Sequence, residues 1–506
     1  MLLGLGGLCG ATTAGFGADD RMAMAVPIAP PDLSKCKRAI TPNGGKIPRK
    51  VNCCPPPKRN IVNFQLTSKA SHLRIRRPAH LVDKDYIAKY NKAYKLMKEL
   101  PDENPRSFKQ QANVHCAYCN GAYDQSLAGF PKMEIQVHNS WLFFPFHRYY
   151  LYFHEKILGS LIGDPTFALP FWNWDSPAGM TMPLMYTKRG SSLYDKFRDA
   201  KHQPPNIIDL NYAAGKDSNL PAKQQCTTNL NSMYNQVVSV GKTAKLFLGS
   251  TLHAGGSQDP GAGTLENAAH GRVHLWTGDR KQDRMEDMGH FYSAARDPIF
   301  FAHHANCDRI WTIWKTLGGR RKDFTDPDFL NAGFLFYYEN RQLVRVKVKD
   351  CLKQENLRYR YQDVEIPWRN AKPTPKARTV EKTIAKKQSV GTTQFPIILD
   401  KTVQVWVKRP KTKARSKEEK EEILVIKGIE LHRGALVTFD VSINDEDDAE
   451  PEPSEFAGSF TNLPHNHGKE DQKFKICLNL GITDILEDLD AENDDDILVT
   501  ITPRDS

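Results

Sequence analysis

The spacing of hydrophobic residues in this 506-residue chain changes once, across a basic segment at residues 369–394. From about residue 80 to residue 320, apolar residues recur at three- and four-residue intervals, as in residues 86–100, and this spacing predicts helices. Residues 148–162 are apolar almost all round, which predicts a buried helix. Beyond the segment, apolar and polar residues alternate, which predicts antiparallel strands. These strands are expected at residues 403–407, 436–441, 473–478 and 496–501. The expected fold is therefore mainly α, a helical bundle followed by a C-terminal antiparallel β-sandwich.

The basic segment also marks a boundary between domains. Residues 369–394 are rich in Lys and nearly free of aromatic residues, which is typical of an exposed, protease-accessible linker. We expect one domain at residues 26–368 and a second at residues 395–506. Residues 1–25 are apolar and end in Ala23-Met24-Ala25, like the cleavage site of an export signal, but they lack its basic start. We interpret them as the remnant of a targeting signal, with a disordered tail as the alternative.

Composition excludes several classes of function. The hydrophobic fraction of 40% and the charged fraction of 25% are ordinary for a globular protein in water. The net charge of +11 is spread along the chain without a basic stripe, which indicates a solvated surface and disfavours nucleic-acid binding. No run reaches the roughly 20 apolar residues of a membrane-spanning helix, so stable membrane insertion is not expected.

Four of the ten cysteines lie early in the chain, near a proline-rich loop, at Cys36, Cys53, Cys54 and Cys116. Their clustering predicts disulfides that fasten an irregular segment, and hence a disulfide-permissive compartment. Cys116 also forms a C-x-x-C pair with Cys119, directly after His115. That spacing alone fits either zinc binding or thiol–disulfide exchange.

The histidines carry the strongest chemical signal. His270 and His274 are four residues apart, so a helix would place both imidazoles on one face, about 6 Å apart along its axis. Pro298 can start a further helix that presents His304. A second group is formed by His115, His138 and His147, which lie in the first helical block.

Two groups of three histidines, all expected on helices and without a carboxylate among them, favour copper. Neutral imidazole suits copper, zinc, iron and nickel, and copper is at the top of the divalent affinity order. Hydrolytic sites with two zinc or manganese ions normally include carboxylates. An all-imidazole pair therefore points to reduced copper and to the binding of O2 between two ions.

Four stretches of sequence together resemble a known family. They are HCAYC at 115–119, HNSWLFFPFHR at 138–148, HGRVHLWTGD at 270–279 and DPIFFAHHANCDRIW at 297–311. These stretches resemble the plant polyphenol oxidases, the catechol oxidase and tyrosinase family of type 3 dicopper proteins. The resemblance extends from about Asp32 to the C-terminus. It implies that residues 26–368 form a dicopper catalytic domain.

The resemblance implies an activity and a ligand set. The activity is oxidation of o-diphenols to o-quinones by O2, with hydroxylation of monophenols as a second activity to test. The first copper would be held by His115, His138 and His147, and the second by His270, His274 and His304. Small phenols would be the partners, and the location would be the thylakoid lumen of the plastid.

The same resemblance assigns the cysteines. It implies a thioether bond between Cys119 and His138, which would restrict and tune that imidazole. It also implies the disulfides Cys36–Cys54 and Cys53–Cys116. With these assignments, the redox interpretation of the C-x-x-C pair is no longer favoured.

Four further residues are expected around the copper pair. Glu266, four residues before His270, would order a water and accept the phenolic proton, with an exposed helix glutamate as the alternative. Phe291 would lie over the second copper and stack on the substrate ring. Gly271 stands where some tyrosinases carry an Asn that helps to order the water, and Leu275 offers no hydrogen bond. Oxidation of diphenols is therefore the main expectation.

The C-terminal domain is expected to cover the site in a latent proenzyme. A side chain that projects into the pocket would occupy the place of substrate, and Phe456 or Phe460 is expected in that role. Cleavage within residues 369–394 would then release activity.

The remaining conspicuous residues are expected to be structural or second to the ligands. His303 and His154 would lie behind the ligands. No role is expected for His253, His290, His465 and His467. Asp308, Arg309 and residues 172–175 are expected to brace the core.

Three other functions remain to be separated from this one. A haemocyanin-like oxygen carrier would use the same six histidines without turnover. A dizinc hydrolase would hold a different metal. A structural secreted protein with incidental histidines is the third alternative.

Overall fold

The computed structural model describes residues 26–41, 50–56, 60–375, 394–410, 420–445, 452–465 and 473–504, apart from residues 67, 69, 126 and 214. The expected targeting remnant at residues 1–25 lies outside the described residues. So do residues 376–393, which make up most of the expected linker.

Helices dominate the described chain as far as residue 331. They are α1 (Lys84–Glu99), α2 (Phe108–Cys119), α3 (Phe143–Leu161), α4 (Ala222–Tyr234), α5 (Ala244–Phe247), α6 (Gly271–Thr277), α7 (Ile299–Thr316) and α8 (Pro327–Asn331), with α9 (Thr483–Asp488) near the C-terminus. The helix predicted at residues 86–100 is confirmed as α1. It begins two residues earlier because the Asp83 side chain accepts a hydrogen bond from the Tyr86 N–H and caps the helix.

Helix α3 is longer than its sequence pattern indicated. We predicted a helix from residue 148, but α3 begins at Phe143 and is buried along most of its length. Pro145 lies in the first turn, where a helix tolerates proline because no N–H is needed there. The earlier start places His147 on the helix.

The strands form small sheets beside the helices and two larger sheets at the C-terminus. They are β1 (Ala39–Ile40), β2 (Lys50–Val51), β3 (Ile61–Asn63), β4 (Arg74–Arg76), β5 (Asp124–Gln125), β6 (Met133–Glu134), β7 (Gly333–Tyr337), β8 (Leu343–Lys347), β9 (Tyr359–Tyr361), β10 (Val403–Lys408), β11 (Ile423–His432), β12 (Val437–Ile443), β13 (Phe456–Asn462), β14 (Lys473–Gly481) and β15 (Asp496–Pro503). The four strands predicted from alternation are confirmed as β10, β12, β14 and β15, whereas β11 and β13 were not predicted.

The C-terminal strands pack as two antiparallel sheets. One has the order β10-β15-β12-β13 and the other pairs β11 with β14. Side chains from both sheets, such as Phe439 and Ile476, share one hydrophobic cluster that is separate from the cluster of the helical core. The expectation of a mainly α fold with a β C-terminal part is confirmed.

The N-terminal segment is fastened to the helical core. Disulfides join Cys36 to Cys54 and Cys53 to Cys116, which are the two pairs that the resemblance implied. Strands β3 and β4 pair in parallel with β8 and β9, so the beginning of the described chain lies beside residues 343–361. None of the helices in the described part of the chain is long and apolar enough to cross a membrane.

A buried ionic network connects the helices of the core. Asp308 accepts hydrogen bonds from Arg148 Nε at 2.5 Å, from the Tyr359 hydroxyl at 2.6 Å and from the Tyr361 hydroxyl at 2.5 Å, and Arg76 lies 3.4 Å away. Burial opposes ionisation of Asp308, but Arg148 and Arg76 outweigh it and hold the pKa of this carboxyl below its ordinary value. The expected structural role of Asp308 is confirmed.

The neighbouring Arg309 has a matching role. It bonds to both carboxylate oxygens of Asp175, and Trp368 donates its indole N–H to the same carboxylate at 2.7 Å. Asp175 is fully buried. Both residues therefore brace the core, as expected from the sequence.

We expect Asp308→Asn to lower the free energy of unfolding by about 3–5 kcal/mol, because it leaves the buried Arg148 without its carboxylate and removes a second carboxylate from Arg76. Chemical denaturation of the full chain measures this. The control is Glu99→Gln, which breaks an exposed pair with Lys95 at 3.9 Å and should cost less than about 1 kcal/mol. Equal effects of the two substitutions would contradict a central role for Asp308.

Candidate metal centre

Seven buried histidines form two adjacent groups inside the helical core. One group contains His115, His138 and His147, and the other contains His270, His274, His303 and His304. Within each group, the nitrogens available as ligands lie within 4.8 Å of one another. All six histidines predicted as copper ligands are therefore brought together.

Different elements supply these histidines. His115 comes from α2, His147 from α3 and His304 from α7. His270 ends a π-helical turn, Glu266–His270, which continues directly into α6 with His274. His138 lies in the loop before α3, so the expectation that every ligand comes from a helix is wrong at this residue.

The two groups face one another across a single interior space. The rings of His147 and His304 stack with centroids 4.1 Å apart and an interplanar angle of 11°. The rings of His138 and His270 are also near one another, at 5.9 Å. The arrangement can therefore hold two metal ions side by side.

Hydrogen bonds on one ring nitrogen direct the other toward this space. The Nδ1 atoms pair with backbone carbonyls: His115 with Phe291 at 2.8 Å, His147 with Phe143 at 2.7 Å, His274 with Met288 at 2.8 Å and His270 with Glu266 at 3.3 Å. A carbonyl can only accept, so these contacts place the proton on Nδ1 and leave a lone pair on Nε2. A metal ligand needs that lone pair.

The inward nitrogens are available as metal ligands. The Nε2 atoms of His115, His138, His147 and His270 are buried and have no hydrogen-bond partner among the residues that the structure describes. His274 Nε2 and His304 Nε2 lie 3.3 Å apart, which suits two nitrogens directed at one ion. Buried polar atoms without partners are costly, so their convergence indicates a bound metal.

His303 belongs to the second group by position but not by chemistry. The Trp174 indole N–H can only donate, and it lies 3.1 Å from His303 Nδ1. His303 Nδ1 is therefore the acceptor, so its Nε2 carries the proton and offers no lone pair. His303 lies behind the ligands, stacked at 5.4 Å on His270, as expected.

Burial keeps the ligand histidines neutral. It is the largest cause that lowers the pKa of each of the six, and neighbouring imidazoles add to it for most of them. The pKa falls to about 3 for His147 and to about 4 for His274. Neutral imidazole is the form that binds a metal ion.

Glu266 lies at the wall of the same space. Its Oε1 accepts the Asn139 backbone N–H at 2.7 Å, and its Oε2 is buried without a partner. Burial raises the pKa of this carboxyl well above its ordinary value. The alternative of an exposed helix glutamate is wrong, because Glu266 is only 5% exposed.

Phe291 contacts the first group rather than the second. Its ring stacks on that of His138 with centroids 4.1 Å apart, and it meets His115 edge-on at 6.0 Å. Its backbone carbonyl also orients His115. The expectation that Phe291 lies over the second copper is therefore wrong. The number of residues between His274 and Phe291 does not reveal which of the two histidine groups the loop around Phe291 packs against.

Gln136 links the residues expected to form a thioether. Its side-chain amide donates to the Cys119 carbonyl at 2.9 Å, and its Oε1 accepts from the His138 backbone N–H at 3.0 Å and lies 3.2 Å from His138 Nδ1. Cys119 is buried and is not part of a disulfide. Gln136 was not predicted from the sequence, although it lies only two residues before the predicted ligand His138.

The residues that cover the site differ from the prediction. Phe460 stacks on Phe439 at 5.0 Å inside the β-sandwich, and Phe456 lines a cleft that also includes Asn231 and Asp440. Neither ring contacts the histidines, so the expectation that one of them enters the pocket is wrong. His465, for which no role was expected, is buried with its ring 5.3 Å from that of Phe291.

Gly271 contacts the same C-terminal strand. A Cβ atom at position 271 would lie 2.9 Å from Cγ2 of Thr461, in β13. Leu275, one turn further along α6, is buried in the helical core. Position 271 is thus both next to a ligand and in contact with the β-sandwich.

The other histidines are peripheral. His154 bonds to the Tyr94 hydroxyl at 2.9 Å and stacks on Phe301 at 3.5 Å, so it does not lie behind a ligand as expected. His253 is 3.9 Å from Asp328, and His290 accepts the Tyr292 backbone N–H. His467 lies outside the described residues.

Comparisons with known proteins agree with this site. Residues 105–317 match the family described as the common central domain of tyrosinase. Residues 323–374 match the polyphenol oxidase middle domain, and residues 395–506 match the chloroplastic polyphenol oxidase C-terminal domain. The three matches follow one another along the chain.

Individual relatives match over nearly the whole chain. A chloroplastic polyphenol oxidase of Malus domestica is 57% identical over 100% of this chain and 86% of its own length. The structure of latent apple tyrosinase has a TM-score of 0.81 and 56% identity, covering 88% of this chain and 97% of that one. Latent aurone synthase, described as a polyphenol oxidase, has a TM-score of 0.87 and 42% identity, covering 95% and 96%.

Fold, site and relatives together define a type 3 copper oxidoreductase. The chain belongs to the plant polyphenol oxidases, the copper-dependent enzymes of the tyrosinase family. Relatives from several plants are named chloroplastic, which supports a plastid location for this chain.

The low pKa values predict that the metal-free protein loses stability in acid. Each buried imidazole is neutral in the folded state, while its unfolded pKa is near 6.5, so the unfolded chain binds more protons below that pH. We expect stability that is present above pH 6.5 to fall as pH drops toward 4, by up to about 1.4 kcal/mol per pH unit for each imidazole.

Thermal unfolding of chelator-treated protein between pH 7 and pH 4 measures this effect. The copper-loaded protein is the control, because a bound ion competes with protons and should move the acid transition to lower pH. A melting temperature of the metal-free protein that stays constant across this range would contradict the prediction.

Proposed function

We propose that this chain oxidises o-diphenols to o-quinones with O2, and that the C-terminal β-sandwich holds the full-length form latent. Two diphenols and one O2 give two quinones and two waters. The observation that supports the proposal most directly is the convergence of six neutral imidazoles with inward nitrogens on one buried space.

The donor set fits copper better than other metals. The two groups contain imidazole nitrogens and no carboxylate, whereas dizinc hydrolases need harder ligands as well. His115, His138 and His147 would hold one ion, and His270, His274 and His304 the other. When bound, the copper pair supplies O2 binding and electron transfer.

Glu266 would accept and move the phenolic proton. Its Oε2 is free of protein partners, while the Asn139 N–H fixes Oε1. Burial alone would keep this carboxyl protonated, but the positive charge of nearby copper ions favours the carboxylate. A water held at Oε2 could then take the proton from the substrate hydroxyl.

The remaining residues would position the substrate. The ring of Phe291, fixed against His138, forms an aromatic wall on which a phenol can stack. Leu275 and Gly271 offer no side-chain hydrogen bond to help order a water near the second group, which favours diphenols over monophenols. Hydroxylation of monophenols is the second activity to test. A Cys119–His138 thioether would fix the imidazole further.

The latent state would depend on the loop after β13. The ring of His465 lies 5.3 Å from that of Phe291, and Leu463 packs into the hydrophobic cluster of the helical core. A phenol would have to displace these side chains to reach the site. Cleavage within residues 369–394, or loosening of the contact by detergent or acid, would open it. Within the plastid we propose the thylakoid lumen as the location.

The central experiment combines copper analysis with oxygen uptake. We expect about two copper ions per chain, little O2 consumption with catechol before limited proteolysis, and a large increase after it. Tyramine tests the monophenol activity in parallel. The alanine variant of His304 should hold less copper and should consume no O2 after proteolysis.

Each failure of this experiment has a distinct meaning. Copper with reversible O2 binding and no quinone at any stage would indicate an oxygen carrier. Zinc in place of copper would indicate a hydrolase. Full catechol oxidation before proteolysis would leave the oxidase proposal intact and overturn the proposed latency.

Gly271→Ala tests the covering role of the β-sandwich. The added methyl would meet Thr461, so we expect the full chain to oxidise catechol faster before proteolysis, by at least fivefold. In an isolated helix the same change is stabilising, so a general loss of folding is not expected.

The matched control removes the opposing methyl. In Gly271→Ala/Thr461→Ser, Cγ2 is absent, and basal activity should return toward that of the unmodified chain. If the double variant stays as active as Gly271→Ala alone, the contact with Thr461 is not the cause.

A further inference from the structure

Asn139 holds the carboxylate of Glu266 through an unusual backbone conformation. Its φ angle of +57° lies in the left-handed region, which asparagine tolerates better than most residues. Its N–H donates to Glu266 Oε1 at 2.7 Å, and its carbonyl accepts the Gly261 N–H at 2.9 Å. The residue next to the ligand His138 therefore sets the position of Glu266.

Asp259 lies on the other side of Asn139. The Asn139 side-chain amide is 3.4 Å from Asp259 Oδ1, and Asp259 is only 2% exposed. A buried carboxylate needs a charged partner. The partner comes from the C-terminal part of the chain.

Arg433, in the turn between β11 and β12, supplies that charge. Its Nη2 donates to Asp259 Oδ2 at 2.9 Å and to Gln258 Oε1 at 2.9 Å, and its Nη1 donates to Glu134 Oε2 at 3.2 Å. The Arg433 side chain is 4% exposed and that of Asp259 is 1% exposed. This pair is therefore desolvated by the packing of the β-sandwich on the helical core.

The backbone of the same residue holds the covering loop. The Arg433 carbonyl accepts the His465 N–H at 2.9 Å, and the His465 ring lies against Phe291. One arginine thus connects to the site by two routes. One runs through His465 to Phe291, and the other through Asp259 and Asn139 to Glu266.

We infer that Arg433 anchors the β-sandwich in its docked position, holding the covering loop with its carbonyl and the Asn139–Glu266 contact with its side chain. This inference rests on the proposed function. It assigns Arg433, Asp259 and Asn139 as positioning residues. Loss of Arg433 leaves Asp259 buried without its charge partner. The docked state of the β-sandwich is therefore destabilised relative to the undocked state.

The test of the anchor uses the full-length, copper-loaded chain. The measured quantity is catechol oxidation before limited proteolysis divided by that after it. We expect Arg433→Gln to raise this ratio about tenfold or more, with activity after proteolysis within about twofold of the unmodified chain. Amide hydrogen exchange should also become faster at His465, because the loop that carries it loses its packing against Phe291 when the β-sandwich undocks.

Arg409→Gln is the matched control. Arg409 is equally buried, but its carboxylate partner Glu422 and its carbonyl partners all lie within the C-terminal domain. This variant should lower the melting temperature while leaving the activity ratio within about twofold. Equal activation by both arginine variants would show that the ratio follows the stability of the domain, and would overturn the inference.

Asp259→Asn tests the pair from the opposite side. It should raise the ratio, and Asp259→Asn/Arg433→Gln should exceed the larger single effect by less than twofold, because both changes remove one interaction. A double variant equal to the product of the two single effects would overturn the inference.

Asn139→Ala and Asn139→Gly test the connection to Glu266. Alanine disfavours a positive φ angle, whereas glycine does not. After proteolysis, Asn139→Ala should lower kcat roughly fivefold with KM nearly unchanged, and Asn139→Gly should retain most of it. Copper content must be equal in both variants. Equal kcat values for the two variants would contradict the proposed role of Asn139 in positioning Glu266.

The proposed function and this inference fail differently. If the unmodified chain holds no copper or oxidises no catechol after proteolysis, the proposed function fails. If the unmodified chain is activated by proteolysis while Arg433→Gln remains fully latent, the inference about Arg433 is overturned and the proposed function stands.

Discussion

The ion pair between Arg148 and Asp308 is the interaction on which the metal centre depends. Arg148 directly follows His147 on α3, and Asp308 lies one turn beyond His304 on α7. Joining these two side chains at 2.5 Å fixes the two helices against one another at the point where their imidazoles stack. A buried pair of this kind costs desolvation energy, and here that cost is offset by two tyrosine hydroxyls and a second arginine. The result is a rigid frame on which ligands from separate segments meet.

Backbone carbonyl groups also orient the ligands. Four of the six ligand imidazoles are oriented by carbonyl groups rather than by carboxylates, so their direction follows the main chain. Met288 and Phe291 supply two of these carbonyls from one loop, and Phe291 also supplies the aromatic wall. The same loop therefore sets ligand orientation in both groups and the shape of the entrance. A neutral, hydrogen-bonded donor set also avoids adding negative charge to the copper pair.

Local spacing pointed to part of the ligand set, and the family resemblance supplied the assignment of three histidines to each copper. His270 and His274 follow helical periodicity, and the motif after Pro298 places His304 on α7. The loop position of His138 and the side of Phe291 were not predictable, since both depend on how loops cross the core. The covering residue was missed for a similar reason. In β13, Phe460 and Thr461 point in opposite directions, and only the packing of the two sheets decides that the phenylalanine faces inward. His465 and Arg433 lie about 170 residues or more beyond their partners Phe291 and Asp259, where no periodic pattern connects them.

The parallel pairing of β4 with β9 has a consequence for biosynthesis. Arg76 and Tyr361 face one another across these strands although they are 285 residues apart along the chain. Closing so large a loop is entropically expensive and slow, and it requires both ends to be present. A nascent chain still attached to the ribosome before residue 361 cannot complete the surroundings of Asp308. The interior around Asp308 therefore closes only after residue 361 has been synthesised.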